Sequence, residues 1–260
     1  MRTLRVIGIG PGDPRQVTVQ AIEAMNGVDA FLVLDKASSR GNPAVKQSLV
    51  GIRREIVDRY VEGGSARFVE VDDPPRDRDP ADYEAEVRRW HLARAERIER
   101  ALLDETGDDG VAGILVWGDP ALYDSTLRIV DDIRARGVLD LAVEVIPGVT
   151  SASALTAAHR ILANRIGEPI HVTTGRRLAD TPPGADTNQI VMLDADCTFR
   201  RTADPTDQIW WGAYLGTSDE ILIAGTVGEV GDEIARVREE ARARIGWIMD
   251  IYLVRTADVA

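Results

Sequence analysis

The chain has 260 residues, 44% of them hydrophobic, and a formal net charge of -12. This length suits one large domain or two smaller ones, and the negative charge argues against a nucleic-acid partner, because such proteins normally carry a basic surface. The single Cys197 excludes an internal disulfide, and with three scattered histidines we expect no metal site. No apolar run approaches the roughly 20 residues of a membrane span and no signal peptide is recognisable, so a cytoplasmic protein without a membrane partner is expected.

The first half alternates short β-branched runs with amphipathic segments, beginning with LRVIGIG, VTVQAIEAMNG and DAFLVLD. This alternation is typical of β-α-β units in a parallel sheet. Residues 62–80 predict one short strand followed by a charged, proline-rich loop, either an exposed insertion or a mobile flap. Residues 80–105 carry the longest helical pattern, and VAGILVWGDP and LAVEVIPGVTS predict two more buried strands that end in Gly/Pro turns.

After residue 160 the predicted strands are closely spaced: EPIHVTT, NQIVMLDA, DQIWWGAYLG, EILIAGTV and WIMDIYLVR. This spacing predicts a second domain with a mixed sheet. We therefore expect an α/β protein with an N-terminal parallel-sheet domain (residues 1–122) and a C-terminal mixed-sheet domain (residues 123–260).

The first strand ends in the glycine loop VIGIGPGDP, which is compatible with several functions. Gly8 and Gly10 fit the dinucleotide fingerprint, but Asp13 occupies its third glycine position and Pro11 removes a backbone N–H. Asp35 at the end of the second strand keeps a nicotinamide-dependent oxidoreductase as an alternative. A tight strand-to-helix turn with its own helix cap would explain the loop without any ligand.

Two further glycine turns follow apolar strands, in GDPALYDS and in IPGVTSASA. Carboxyl ends of parallel strands meet at one edge of a sheet, where ligands commonly bind. We therefore expect the three turns to gather around one shared cleft.

The segments VIGIGPGDP, WGDPALY and IPGVTSASA, in this order and spacing, resemble the tetrapyrrole methylases, the S-adenosylmethionine-dependent methyltransferases of cobalamin and sirohaem synthesis. The resemblance covers nearly the whole chain and implies a two-domain α/β fold with a cofactor cleft between the domains, usually in a homodimer. Within the family, FLVLDK, WGDPALYDSTLRI, VMLDADCTF and GWIMDIYLVR look most like the deacetylating subgroup. That likeness implies C-methylation of precorrin-5 to precorrin-6A, with the extruded acetyl group lost as acetate.

The resemblance also implies S-adenosylmethionine as cofactor, S-adenosylhomocysteine as product, and no metal. The residues expected at the cofactor are Pro11, Trp117, Gly118, Asp119, Leu122, Tyr123, Thr150, Ser151, Ala152, Met192, Asp194, Gly225 and Thr226. Met192 lies earlier in its strand than the methionine often found in the family, which places Asp194 at the matching position. Helix capping by Asp119 or Ser151 and core packing of Met192, Trp117 or Tyr123 are the alternatives.

The first glycine loop is associated in the family with the tetrapyrrole side of the cleft, where a loop nearly free of side chains lets a flat macrocycle approach the backbone. A precorrin carries many carboxylates, so an acidic protein needs a local basic patch to receive it. The residues expected on this side are Gly8, Gly10, Gly12, Arg15, Lys36, Arg40 and Lys46. Solvated surface charge is the alternative for the four basic residues.

Methyl transfer from a sulfonium needs little acid-base assistance, so positioning should dominate, and it can contribute on the order of 7 to 11 kcal/mol. Asp13 and Asp35 are the candidates for assisting loss of the acyl group, with helix capping and a solvated strand end as their alternatives. A non-catalytic tetrapyrrole carrier is a further alternative function, although the intact GDP and PGVTS turns count against a decayed cofactor site.

Overall fold

The computed structural model describes residues 1–36, 43–64, 67–77, 79–180 and 187–257, with the side chains of residues 35, 36, 43–50 and 64 outside the description. Arg40 lies outside the described residues, and Lys36 and Lys46 are described only as members of their strand and helix. Contacts between Cα atoms divide the chain into two compact units, Met1–Val149 and Thr150–Ala260.

The first unit is built on a five-stranded parallel sheet in the order β3-β2-β4-β1-β5. Its strands are β1 (Arg2–Gly8), β2 (Ala30–Lys36), β3 (Arg67–Asp73), β4 (Val111–Val116) and β5 (Leu141–Ile146). Its helices are α1 (Val19–Asn26), α2 (Pro43–Tyr60), α3 (Tyr83–Glu105) and α4 (Thr126–Arg136), with a 3-10 turn at Pro14–Gln16.

Both faces of this sheet are covered, as its continuous apolar strands require. Successive side chains of a strand point to opposite faces. Leu4 and Val6 accordingly pack in one cluster with Ile98 of α3, while Ile7 packs in another with Met25 of α1. The strands are thereby fixed in register, and their carboxyl ends lie along one edge of the sheet.

The second unit has a mixed five-stranded sheet in the order β6-β7-β10-β8-β9. Its strands are β6 (His171–Thr174), β7 (Asn188–Met192), β8 (Gln208–Ala213), β9 (Ile221–Thr226) and β10 (Asp250–Arg255). Its helices are α5 (Ser151–His159), α6 (Gly175–Leu178), α7 (Phe199–Thr202) and α8 (Val227–Ile245). Only β6 and β7 pair in parallel within this described sheet, and Trp211, Phe199 and Tyr252 anchor its core.

The two sheets confirm the predicted α/β class with one parallel and one mixed sheet. The predicted boundary after residue 122 falls inside the first unit, because β5 pairs with β1 and α4 packs on α3. None of the helices in the described part of the chain has the length and apolarity of a membrane-spanning segment.

Candidate functional site

Three glycine turns meet at the carboxyl edge of the first sheet. Gly10 and Gly118 exchange two backbone hydrogen bonds, of 3.2 and 2.9 Å. A Cβ on Gly148 would lie 2.1 Å from the carbonyl oxygen of Gly118, and one on Gly8 would lie 2.6 Å from the amide nitrogen of Gly148. Because the backbones of the three turns are in direct contact, only glycine fits at positions 8 and 148. The expected meeting of the three turns is confirmed.

Asp119 links the second turn to the third. Its Oδ1 accepts a hydrogen bond from the amide of Ala121 at 2.8 Å, and its Oδ2 accepts one from the amide of Gly148 at 2.9 Å. The next helix, α4, begins only at Thr126, so Asp119 closes a local turn and does not cap a helix. The carboxylate therefore holds the second and third glycine turns in a fixed relation and, being half-buried, keeps further acceptor capacity.

Two aromatic residues beside these turns, Trp117 and Tyr123, have features that simple packing does not explain. The indole Nε1 of Trp117 is buried and has no hydrogen-bond partner among the described residues. Tyr123 is 45% exposed and has a left-handed backbone, with φ of 53°. Such a conformation is strained for a bulky residue and is commonly found at functional sites. Core packing therefore does not account for Tyr123, and the Trp117 donor lacks an acceptor in the part of the chain that the structure describes.

In the first glycine loop, Asp13 and Arg15 form an ion pair. The Asp13 carboxylate accepts the backbone amide of Arg15 at 2.9 Å, which caps the 3-10 turn, and it also accepts two guanidinium N–H groups. These hydrogen bonds hold the pKa of Asp13 below its ordinary value. Asp13 is thus ionised at neutral pH and cannot serve as a proton donor there, while Arg15, though exposed, is partly neutralised.

In the second unit, α5 and β7 bring two of the expected cofactor residues together. Thr150 is the N-cap of α5, since its Oγ1 accepts the amide of Ser153 at 3.1 Å. Ser151 is therefore not the cap, and its hydroxyl donates to the sulfur of Met192 at 3.6 Å. Ala152 follows on the same first turn and is half-buried.

Asp194 has a structural role that the sequence did not reveal. Its side chain is buried and accepts hydrogen bonds from the hydroxyl of Tyr252 at 2.7 Å and from both the amide and the hydroxyl of Thr198, at 2.6 and 2.8 Å. The amide of Asp196 donates to it as well, at 3.1 Å. A carboxylate with four internal donors holds its own turn, and a role of Asp194 as a cofactor contact stays a prediction.

Gly225 and Thr226 are likewise explained by local structure. Thr226 caps α8 in a capping box with Glu229, in which each side chain bonds the other residue's backbone amide. A Cβ on Gly225 would lie 2.7 Å from a methyl carbon of Val230. Their roles as ligand contacts stay predictions.

Comparison with known proteins decides the family. Residues 3–231 match the profile described as Tetrapyrrole (Corrin/Porphyrin) Methylases. The chain belongs to the tetrapyrrole methylase family. A precorrin-6A synthase (deacetylating) from Sinorhizobium sp is 47% identical over 98% of this chain and 95% of that protein. A precorrin-2 C(20)-methyltransferase from Sinorhizobium sp is 28% identical over 67% of this chain and 68% of that protein.

Solved structures of tetrapyrrole methylases share the fold. The cobalamin synthesis related protein CobF from Corynebacterium diphtheriae is 42% identical, with a TM-score of 0.83 over 99% of this chain and 100% of that one. Uroporphyrin-III C-methyltransferase from Thermus thermophilus, complexed with S-adenosylhomocysteine, is 17% identical, with a TM-score of 0.60 over 97% of each chain. The resemblance seen in the sequence, to the family and to its deacetylating subgroup, is confirmed, and this tetrapyrrole methylase is a methyltransferase.

Sequence reasoning missed one cation at the site of this tetrapyrrole methylase. Arg53 of α2 is half-buried, donates from Nε to the carbonyl of Leu115 at 3.1 Å, and lies 5.5 Å from the ring centroid of Trp117. Burial lowers its pKa to about 10, so it remains charged at neutral pH. An arginine within an amphipathic helix carries no sequence signal of such a position. Among the described residues, no group of three or more His, Cys, Asp or Glu side chains is arranged to hold a metal ion.

Proposed function

We propose that the chain is an S-adenosylmethionine-dependent C-methyltransferase that converts precorrin-5 to precorrin-6A and releases the extruded acetyl group as acetate. The observation that carries this proposal is the 47% identity to the Sinorhizobium precorrin-6A synthase (deacetylating), which extends over nearly the full length of both proteins. A nicotinamide-dependent oxidoreductase and a non-catalytic carrier have no comparable support.

Four of the proposed cofactor residues have a geometry that leaves capacity for a ligand. Trp117 offers an indole N–H that has no acceptor among the described residues, and the Asp119 carboxylate has lone pairs that can accept from a ribose hydroxyl or an ammonium group. Ser151 and Met192 are in contact and present a hydroxyl and a polarisable sulfur. The remaining proposed contacts are Pro11, Gly118, Leu122, Tyr123, Thr150, Ala152, Gly225 and Thr226. When bound, S-adenosylmethionine supplies a methyl group already activated by its sulfonium.

The protein's part in the reaction is then to position the substrate and to assist loss of the acyl group. Close packing of Gly8, Gly118 and Gly148 leaves a loop edge with few side chains, which suits the approach of a flat macrocycle. We propose Asp13, which its pair with Arg15 keeps ionised, as the carboxylate that assists loss of the acyl group. Asp35 and the basic residues Lys36, Arg40 and Lys46 stay predictions.

Two measurements test this function. S-adenosylhomocysteine should raise the melting temperature, because at about 100 times its Kd a ligand selective for the native state stabilises it by about 2.7 kcal/mol, whereas NADH should not. The protein should also convert precorrin-5 with S-adenosylmethionine to a product identified by mass, with one equivalent of acetate released. A melting shift with NADH alone would indicate an oxidoreductase. Precorrin binding without methyl transfer would indicate a carrier.

We also propose a homodimer in the cytoplasm, following the resemblance to the family. Light scattering coupled to gel filtration measures the mass directly. A mass equal to one 28.4 kDa chain at micromolar concentration would contradict the dimer.

A further inference from the structure

The loop after β3 carries a cluster of arginines and aromatic rings that the proposed chemistry does not use. Trp90 of α3 is its centre. The Trp90 indole donates to the carbonyl of Pro74 at 3.0 Å, and the guanidinium of Arg94 lies 3.7 Å from its ring centroid. Arg94 is in turn held by a buried bidentate pair with Asp73, with both hydrogen bonds at 2.6 Å. These contacts fix the position and orientation of the ring.

The described part of the loop itself is tied to α3. The amide of Asp77 donates to Glu86 at 2.8 Å, and Arg89 donates to the carbonyl of Pro75 at 3.3 Å. Arg89 also forms a bidentate pair with Glu86, and this pair holds the pKa of Glu86 at about 2. Pro74 is buried, and the exposed residues 75–77 are anchored to α3, so a side chain on this part of the loop can have a defined direction.

Arg76 differs from its arginine neighbours on this surface. Its guanidinium lies 5.3 Å from the ring centroids of both Tyr83 and Trp90. Arg89 and Arg94 are paired with carboxylates, whereas Arg76 has neither an ion pair nor a hydrogen bond to any residue in the described part of the chain. The carboxylate of its near neighbour Glu86 is already engaged by Arg89 and the loop amide. Stacking orients a guanidinium while leaving its planar donor edge open, and that edge matches a carboxylate in bidentate geometry.

The loop after β3 lies at the same edge of the sheet as the glycine turns. In the order β3-β2-β4, the carboxyl end of β3 is two strands away from the turn at Gly118, which corresponds to about 10 Å at the usual strand spacing. We infer that Arg76, oriented by Tyr83 and Trp90, binds a peripheral carboxylate of the tetrapyrrole substrate while its macrocycle lies against the glycine turns. This inference rests on the proposed function, and it assigns a specificity-determining residue to that site.

The test compares Arg76→Met with Arg88→Met, which removes an exposed arginine of α3 that has no ion pair among the described residues. Both variants should melt as the wild type does and bind S-adenosylhomocysteine with unchanged affinity. Arg76→Met should raise the KM for precorrin-5 roughly fivefold to tenfold with little change in kcat, since it removes one charge-assisted contact made equally in ground and transition states. Arg88→Met should leave KM unchanged, and Arg76→Lys should fall between wild type and Arg76→Met.

Calorimetric titration with uroporphyrin III, a stable octacarboxylate tetrapyrrole, provides a readout independent of turnover. Arg76→Met should weaken this binding by a similar factor, and the octamethyl ester should show no difference between variant and wild type. If wild type and Arg76→Met have equal affinity and equal KM, the carboxylate site at Arg76 is wrong while the proposed function stands. If the wild type neither converts precorrin-5 nor binds uroporphyrin III, the proposed function fails and this inference fails with it.

Discussion

Replacing Gly148 by alanine tests whether the three glycine turns must pack backbone against backbone. Gly148 does not have a left-handed φ, so alanine meets no conformational strain there. Its Cβ, however, would lie 2.1 Å from the carbonyl oxygen of Gly118 and 2.9 Å from the carbonyl carbon of Gly8. Neither neighbour is a side chain that can rotate away, so the turns themselves must separate.

The expected cost has two parts. Forcing one methyl group into a fully packed site costs about 1 to 3 kcal/mol. Separating the turns also breaks the hydrogen bond from the Gly148 amide to the Asp119 carboxylate, a charge-assisted bond that contributes about 1.5 to 3 kcal/mol. Together we expect a loss of roughly 3 to 5 kcal/mol in the free energy of unfolding, which corresponds to a fall in melting temperature on the order of 10 °C.

The assay is thermal and urea denaturation followed by circular dichroism, with S-adenosylhomocysteine affinity measured on the folded variant. Gly51→Ala is the matched control, because Gly51 lies within α2 and a Cβ there would meet no described atom within 4 Å. That control should be as stable as the wild type or up to about 1 kcal/mol more stable, from helix propensity. A Gly148→Ala protein that melts within 2 °C of the wild type would refute the argument, taking 2 °C as roughly the effect of 1 kcal/mol or less.

Four further substitutions separate ligand contacts from structural roles. Asp119→Ala should cost about 2 kcal/mol of stability and weaken S-adenosylmethionine binding by about 1 to 3 kcal/mol, and unchanged affinity would restrict Asp119 to holding the turns. Tyr252→Phe should cost about 1 to 3 kcal/mol, because it removes one of the two hydroxyl donors of the buried Asp194 carboxylate, while calorimetry should find S-adenosylhomocysteine affinity unchanged. Because the pKa of Asp13 is lowered in the folded state, its contribution to the free energy of unfolding is present above the unfolded pKa of about 4 and is lost as the pH falls below that value. The difference in stability between wild type and Asp13→Asn should therefore be constant from about pH 6 to 8 and shrink below about pH 4. It should stay under about 1 kcal/mol, because the pair with Arg15 lies at the surface. Gly10→Val should abolish turnover of precorrin-5 with cofactor affinity retained, because a φ of 78° strains valine and its Cβ would lie 3.2 Å from the Gln16 side chain. Lost cofactor affinity with intact substrate binding would mean that the loop binds the cofactor.

The glycine turns were predictable from the sequence because their signal is local. An apolar strand followed by glycine can be recognised within a few residues of sequence. The parallel β-α-β pattern then determines which strand ends share an edge of the sheet. Thr150 and Asp13 show the limit of this reasoning. Whether a hydroxyl or carboxylate caps a turn or faces a ligand depends on backbone angles that a single residue of sequence does not specify.

The other features arise from long-range packing. Asp194 lies just after β7, and the hydroxyl of Tyr252 in β10 donates to it. β7 and β10 are neighbours in the sheet but far apart in the chain. Trp90 and Arg76 come together because α3 packs against β3, so that the loop between β3 and α3 lies beside Trp90. The extent of the first unit depends on long-range pairing in the same way, since the pairing of β5 with β1 joins residues 123–149 to the first unit.

The central position of β10 sets the order in which the protein can fold during synthesis. The first sheet has all of its strands once residue 146 has left the ribosome, whereas in the second sheet β7 and β8 both pair with β10 and not with each other. Until residues 250–255 emerge, β7 and β8 each present an unpaired edge, the kind of surface that promotes aggregation. The second unit therefore completes its sheet only after its last strand is translated, and a chain that stops before residue 250 has every strand of the first sheet but exposes the edges of β7 and β8.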